Sequence, residues 1–325
     1  MDKYYIAVDI GATKTLLGIF DENSTLKYKV KFPTCKDNFN DNLFKMKEKT
    51  LDYVKDHLEE RILGIGIGIP AVYDEKNDVI QKAVNLSKWE NVRIKEVLNS
   101  EIDTEVCVHT DVYAALIGEK MFGIAKNASN FVNISVGTGI GMGIYTNDCL
   151  YTGANNFAGG IGHTIYKVGG DLCVCGKQGC VENYVCGKAM ERLFKQRITN
   201  EEYKSSILYK QFKEGDRVTS FDIINAAFSD RLCKNIINEI GFNLGIVISN
   251  VIMLFDPEVV ILNGGVITNS PEYLVEKINK TISENLFSKI YLRTRIERSV
   301  LGEEANLYGN YWLIKNYERV KNSAL

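Results

Sequence analysis

Cys173, Cys175 and Cys180 fall within eight residues, and His163 lies ten residues before the first of them. This cluster restricts the chain more than any other pattern in it. Three thiols and an imidazole at such spacing match a tetrahedral Cys₃His zinc site of the structural kind. A chain folded around an ion must reverse direction sharply, and Gly176 and Gly179 stand where those turns are needed. A disulfide is the poorer reading, because cysteines one residue apart are badly placed to bridge each other. The bland alternative is a group of buried thiols beside an exposed histidine. Cys35, Cys107, Cys149, Cys186 and Cys233 are scattered and read as structural.

Eight cysteines without a secretion signal suit a reducing cytoplasm. The start, MDKYYIAVDIG, has no basic leader and runs straight into an apolar strand, so no signal peptide is expected. With 39 basic and 41 acidic residues the net charge is −2, which argues against a nucleic-acid-binding surface. The 325 residues allow two domains. The longest apolar stretch, 240–255, contains Asn243, Ser249 and Asn250 and falls short of the ~20 residues of a membrane span. It reads as a buried core helix, and no membrane partner is expected.

Along the chain, apolar runs alternate with helical periodicity. The run at 4–8 ends in Asp9, then come Ile10-Gly11-Ala12-Thr13-Lys14-Thr15 and a second run at 16–20. That is strand, glycine turn, strand, with a third strand at 26–32. Phe39, Leu43, Met46, Thr50, Val54 and Leu58 recur at helical spacing from about Asn38. RILGIGIGI, 61–69, reads as a buried parallel strand. A strand at 105–109 delivers Thr110 and Asp111 at its carboxyl end, and 112–121 reads as a helix. A strand at 131–136, Gly137-Thr138-Gly139-Ile140-Gly141 and a return strand at 142–145 then repeat the first hairpin weakly. Such turns expose backbone N–H groups and let a polyphosphate approach closely. Helices are expected at 182–194, 231–255 and 305–317, a charged loose segment at 200–216, and a strand at 259–262 entering Asn263-Gly264-Gly265. This alternation argues for an α/β class. The chain has no G-x-x-x-x-G-K-[ST] and no G-x-G-x-x-G after its first strand, which speaks against P-loop and dinucleotide folds.

The Gly162-His163 pair, C-x-C-G-x-x-G-C from Cys173 to Cys180, and Glu182 together resemble the zinc-loop signature of the ROK family, bacterial sugar kinases and sugar-responsive repressors. The paired glycine hairpins resemble the phosphate-binding hairpins of the actin/hexokinase superfamily, to which that family belongs. The resemblance runs over essentially the whole chain. It implies an actin-like ATPase (hexokinase-type) fold, with two α/β domains around a cleft. The smaller, 1–115, would be completed by a C-terminal helix at 303–320, and the larger, 116–302, would carry the zinc loop. It implies that His163, Cys173, Cys175 and Cys180 hold structural Zn²⁺, that His163 ties the metal to the sugar pocket, and that Glu182 contacts the sugar. Loss of zinc is then expected to remove activity without touching the phosphate chemistry. Gly11, Ala12, Thr13 and Lys14 would cradle one end of the ATP phosphates and Gly137, Thr138 and Gly139 the other. Asp9 would hold Mg²⁺ through water, and Gly264 and Gly265 would lie against the adenosine. A cytoplasmic homodimer is implied.

Moving a phosphoryl group from ATP to a sugar hydroxyl requires a carboxylate that takes the proton as the new bond forms. Asp111 is the candidate. It lies at a strand end, where α/β ligands gather, and matches the Asp of the family's N-D-x-N segment; a helix-capping Asp is the competing reading. The sugar pocket departs from the family pattern. Thr110-Asp111-Val112-Tyr113 replaces N-D-A-N, and Gly160 replaces a glutamate that binds sugar hydroxyls in typical glucokinases. That loss is worth on the order of 2–3 kcal/mol if hydroxyls go unpaired, or it makes room for another sugar, an acyl substituent or a water. Asn85 and Leu86 match the P-N-L segment, with Val84 in place of Pro. Sugar contacts are expected from Thr110, Asn85, Gly160, His163 and Glu182. The expected activity is an ATP-dependent hexose kinase acting on the 6-hydroxyl in the manner of glucokinase or allose kinase. N-acetylmannosamine kinase is the first alternative. A catalytically silent sugar-binding regulator is the second, without the repressors' helix-turn-helix, since only eight residues precede Asp9.

Overall fold

A computed structural model describes residues 3–54, 61–74, 76–83, 86–99, 104–154, 158–289 and 293–317. The chain divides into two compact units: 1–127 with 149–151 and 304–325, and 128–148 with 152–303.

In the first unit, β1 (Lys3–Ile10), β2 (Lys14–Asp21), β3 (Leu26–Pro33), β4 (Arg61–Ile69) and β5 (Glu105–Thr110) form one sheet in the order β3-β2-β1-β4-β5. The first three pair antiparallel, and β1, β4 and β5 run parallel. Alternation decides how β4 is used. Ile65, Ile67 and Ile69 point to one face and pack with Ile6, Val8, Ile10, Phe39, Leu43 and Trp89. Each such side chain contributes roughly 1.5–3 kcal/mol on burial. Gly64, Gly66 and Gly68 point to the other face and seat the C-terminal helix Ala305–Lys315. A Cβ on Gly66 would stand 2.2 Å from the Asn310 carbonyl oxygen, and one on Gly64 would stand 2.5 Å from Ile314 Cγ1. The same device joins that helix to Asp111–Met121: Gly118 faces the Ala305 carbonyl and Gly309 the Ala114 carbonyl, at distances that exclude any side chain. This packing keeps the whole of Asp111–Met121 in the first unit.

In the second unit, β6 (Phe131–Val136), β7 (Ile140–Thr146), β8 (Val259–Asn263) and β9 (Arg295–Arg298) lie in the order β7-β6-β8-β9. β6 and β7 are antiparallel, and β6, β8 and β9 are parallel. Val132, Ile134, Val136, Val260 and Leu262 share a core with the helix Arg231–Phe255. Asp230 caps that helix by accepting from the Cys233 N–H, and Asp256 ends it in the left-handed region, φ 43°, ahead of Pro257. The helix is long and apolar enough to cross a membrane, but 67% of its most apolar window is buried within the protein. Two expectations change here. The helix expected at 182–194 is two, Glu182–Val185 and Gly187–Arg197, broken at extended Cys186. The charged segment 200–216 contains helical turns, Glu201–Tyr203 and Tyr209–Lys213, because Tyr203, Leu208, Tyr209 and Phe212 pack on the core.

Candidate functional site

The first unit supplies the carboxylates. Asp9 sits near the end of β1 and pairs with Gly68 of β4, which in turn pairs with His109 of β5. Gly68 carries no side chain, and Asp111 Cα lies 3.5 Å from where its Cβ would be. Asp9 and Asp111 thus leave the carboxyl ends of parallel strands on either side of a glycine. Asn306 Nδ2 donates to Asp9 Oδ1 at 2.8 Å, and the Val112 N–H donates to Asp111 Oδ1 at 2.9 Å. Asp111 is half-buried as a residue, and its carboxyl is the enclosed part. Burial first, and the negative charge of Asp9 second, push it up to about 7. A carboxyl poised there is suited to accept a hydroxyl proton at neutral pH.

Thr110 is the N-cap of the helix Asp111–Met121, but its side chain makes no capping bond. Its Oγ1 is buried without a hydrogen-bond partner, as are Asn306 Oδ1 and Asn310 Oδ1. A buried hydroxyl left unpaired by the protein is a natural contact for a ligand hydroxyl. Asn306 and Asn310 were not anticipated. The available signal was two amides at i, i+4 on an otherwise apolar C-terminal helix. Asn85 and Val84 lie outside the described residues, while Leu86 is buried.

The first glycine turn joins β1 to β2. The Gly11 N–H donates to the Lys14 carbonyl at 2.9 Å, and Thr34 pins the turn from behind. Thr34 Oγ1 donates to the Gly11 carbonyl at 2.8 Å and lies 2.9 Å from Thr15 Oγ1. Ala12 is half-buried, and Thr13 and Lys14 are exposed.

In the second unit, Gly137, Thr138 and Gly139 form the turn between β6 and β7. A Cβ on Gly137 would meet nothing within 4 Å, so this side of the turn is open. The Gly137 carbonyl accepts from the Gly187 N–H at 2.8 Å, which places the helix break at Cys186 against the hairpin. Gly264, at φ 89°, packs on Val136: a Cβ would stand 2.5 Å from the Val136 carbonyl oxygen. The Gly264-Gly265 turn and the hairpin therefore adjoin. Glu182 lies against the same hairpin, where its Oε2 accepts from the Ile140 N–H at 3.3 Å.

The ligand atoms of His163, Cys173, Cys175 and Cys180 all lie within 4.8 Å of one another. Cys175 and Cys180 sulfurs are 3.6 Å apart, and Cys173 Sγ is 3.7 Å from His163 Nδ1. Metal–sulfur bonds of about 2.3 Å put tetrahedral neighbours roughly 3.8 Å apart, so the donor set fits zinc. Gly176 (φ 88°) and Gly179 (φ 78°) supply the tight turns. Burial and the neighbouring thiols push Cys180 up to about 12, whereas the Lys177 N–H holds Cys175 low. Metal binding would therefore displace protons. Gly160, which precedes the turn Ile161–His163, lines a cavity of about 750 Å³ with Met142, Ile144, Tyr166, Val247 and Val251.

The ROK family model matches residues 5–317, and the chain belongs to the ROK family. A glucokinase of Halalkalibacterium halodurans is 29% identical over 325 residues, 98% of this chain and 96% of that protein. A xylose repressor of Caldicellulosiruptor bescii is 32% identical over 253 residues, 76% of this chain; the match spans only 61% of the repressor's length. Among solved structures, a ROK family glucokinase from Streptomyces griseus in complex with glucose and AMPPNP superposes with a TM-score of 0.85 and 27% identity, covering 96% of this chain and 99% of that one. The α/β fold is accordingly the actin-like ATPase fold of ROK hexokinases and glucokinases.

Proposed function

We propose that this ROK family protein is an ATP-dependent sugar kinase that passes the γ-phosphoryl group to a hexose hydroxyl. The observation that carries this reading is the pair Asp9 and Asp111, with Asp111 raised to about 7 by burial and by Asp9. Asp111 takes the proton of the attacking hydroxyl as its oxygen bonds to the γ-phosphorus and the bond to the ADP oxygen breaks. Asp9, oriented by Asn306, would hold Mg²⁺, and the ion would neutralise phosphate charge. Gly11 to Lys14 and Gly137 to Gly139 receive the phosphates, and Gly264 and Gly265 the adenosine. Thr110, with its unpaired Oγ1, contacts the sugar, and Gly160, His163 and Glu182 are the sugar contacts offered by the second unit. The Cys₃His group binds zinc and fixes His163. The glucokinase relative and the AMPPNP-bound neighbour support the same reading.

Two observations favour other readings. Gly160 opens onto an apolar cavity of about 750 Å³, which suits an N-acylated hexose such as N-acetylmannosamine. The repressor relative favours sugar binding without catalysis. The deciding experiment is ADP release from Mg-ATP with glucose, allose, mannose, fructose, N-acetylmannosamine, N-acetylglucosamine and a β-glucoside. Turnover on a neutral hexose supports the lead, and turnover on an N-acylated hexose alone moves the assignment to the second. No turnover with folded, zinc-loaded protein overturns the kinase reading in favour of the silent binder.

A further inference from the structure

Glu182 is two residues past the metal ligand Cys180, but its carboxylate lies on the second phosphate hairpin. Oε2 accepts from the Ile140 N–H at 3.3 Å, and a Cβ on Gly139 would stand 2.3 Å from the same oxygen. Gly139 thus makes room for a carboxylate of the protein itself, whereas Gly137 faces open space. The loop fixes Glu182 there. The Val181 N–H donates to the Thr164 carbonyl at 2.9 Å, and the Asn183 N–H donates to the Cys180 carbonyl at 3.0 Å. Gly162, beside His163, is kept bare by the Ile140 carbonyl, 2.7 Å from where its Cβ would be.

A carboxylate seated on a hairpin that receives polyphosphate opposes that ligand in two ways. It repels the like charge, and it occupies a backbone donor that phosphate oxygens would use. The opposition ends if Glu182 finds another partner, and a sugar hydroxyl next to the metal loop is one. We infer that Glu182 is a positioning residue that gates the nucleotide site. Without sugar it rests on the Ile140 N–H and weakens nucleotide binding. A sugar hydroxyl that draws it away frees the donor and removes negative charge from the hairpin, so sugar and nucleotide bind with positive, reciprocal coupling. This rests on the sugar-kinase reading of the same site. It also departs from the expectation that the metal loop leaves phosphate chemistry untouched, because that loop places the gate.

The test is calorimetric titration of the zinc-loaded full chain with Mg²⁺-AMPPNP, first without sugar and then with the sugar turned over fastest. Glu182→Gln keeps an acceptor for the Ile140 N–H and removes only the charge. It is expected to bind nucleotide at least about fivefold more tightly than wild type without sugar. Added sugar should tighten nucleotide binding in wild type and leave Glu182→Gln unchanged. Gly139→Ala, whose Cβ displaces the carboxylate while keeping Glu182, should shift affinity in the same direction and serves if the first variant folds poorly. If Glu182 merely caps a backbone donor, Glu182→Gln will bind as wild type does and Glu182→Ala more weakly; that pattern overturns the gate. Wild-type protein that binds no Mg²⁺-AMPPNP at millimolar concentration overturns the kinase reading and the gate together. Binding that is equal in wild type and Glu182→Gln removes the gate alone.

Discussion

The two glycine hairpins share a sequence pattern but are held differently. The hairpin at Gly11 is secured within its own sheet: Thr34 of the neighbouring segment bonds the Gly11 carbonyl, and Thr15 backs Thr34. The hairpin at Gly137 is secured from outside its strands, by the Gly187 N–H, the Glu182 carboxylate and the packing of Gly162. These three outside contacts come from the metal loop or the residues that follow it, and a fourth, Gly264, packs on Val136. One sequence motif is thus braced from within its own sheet in one place and from a distant loop in the other.

The first way to sharpen this comparison is to remove the chemistry and keep both cradles. Asp111→Asn should lower turnover about 10²–10⁴-fold while Mg²⁺-AMPPNP binds as before by calorimetry; near-normal turnover would remove the base assignment. In wild type the rate should fall as pH drops through about 7, where Asp111 becomes protonated.

The same variant carries a stability signature. Below 3.8 Asp111 is protonated in both folded and unfolded chains. As pH rises from 3.8 the unfolded chain ionises first, so the native state loses stability until about 7, where the folded group ionises too. At roughly 1.4 kcal/mol for each pH unit, the loss is at most about 4 kcal/mol. Urea unfolding should therefore find Asp111→Asn more stable than wild type near pH 8 and little different near pH 4; equal curves at both would show that the carboxyl is not enclosed.

Next, Cys175→Ser should lower zinc content and activity together, the latter by at least about 10-fold, the least that losing even a residue supporting a metal ligand costs. It should also abolish the effect of sugar on nucleotide affinity, since the loop that places Glu182 on the second hairpin is disturbed. A fully active zinc-free variant would break the contrast between the hairpins. The smallest effect is expected at the first hairpin. Thr34→Val removes the donor to the Gly11 carbonyl and should cost about 1–2 kcal/mol in denaturant melts, with no change in zinc content or in the effect of sugar on nucleotide affinity. Altered zinc content would mean that the two cradles are not independently braced.

Much of this was legible in the chain because the determinants are local. The spacing of His163, Cys173, Cys175 and Cys180 set a four-donor group, and Gly176 and Gly179 proved to hold positive φ. Both strand–glycine–strand hairpins formed, and the helix expected at 231–255 spans Arg231–Phe255. Turn chemistry, caps and periodicity depend on neighbours a few residues away, and those are written in order.

Tertiary structure alone decided the rest. The alternating glycines of RILGIGIGI are a helix seat only because Asn310 and Ile314, far along the chain, lie on them. Asp111 rises to about 7 through its enclosure and the charge of Asp9, and Asn306 reaches Asp9 across 297 positions. Gly139 yields to Glu182 and not to open space, although it reads like Gly137 in sequence. These outcomes depend on burial, close approach and charge between elements that no local pattern relates. Local spacing fixes the turns, caps and the Cys/His donor group, and the folded chain decides what surrounds each of them.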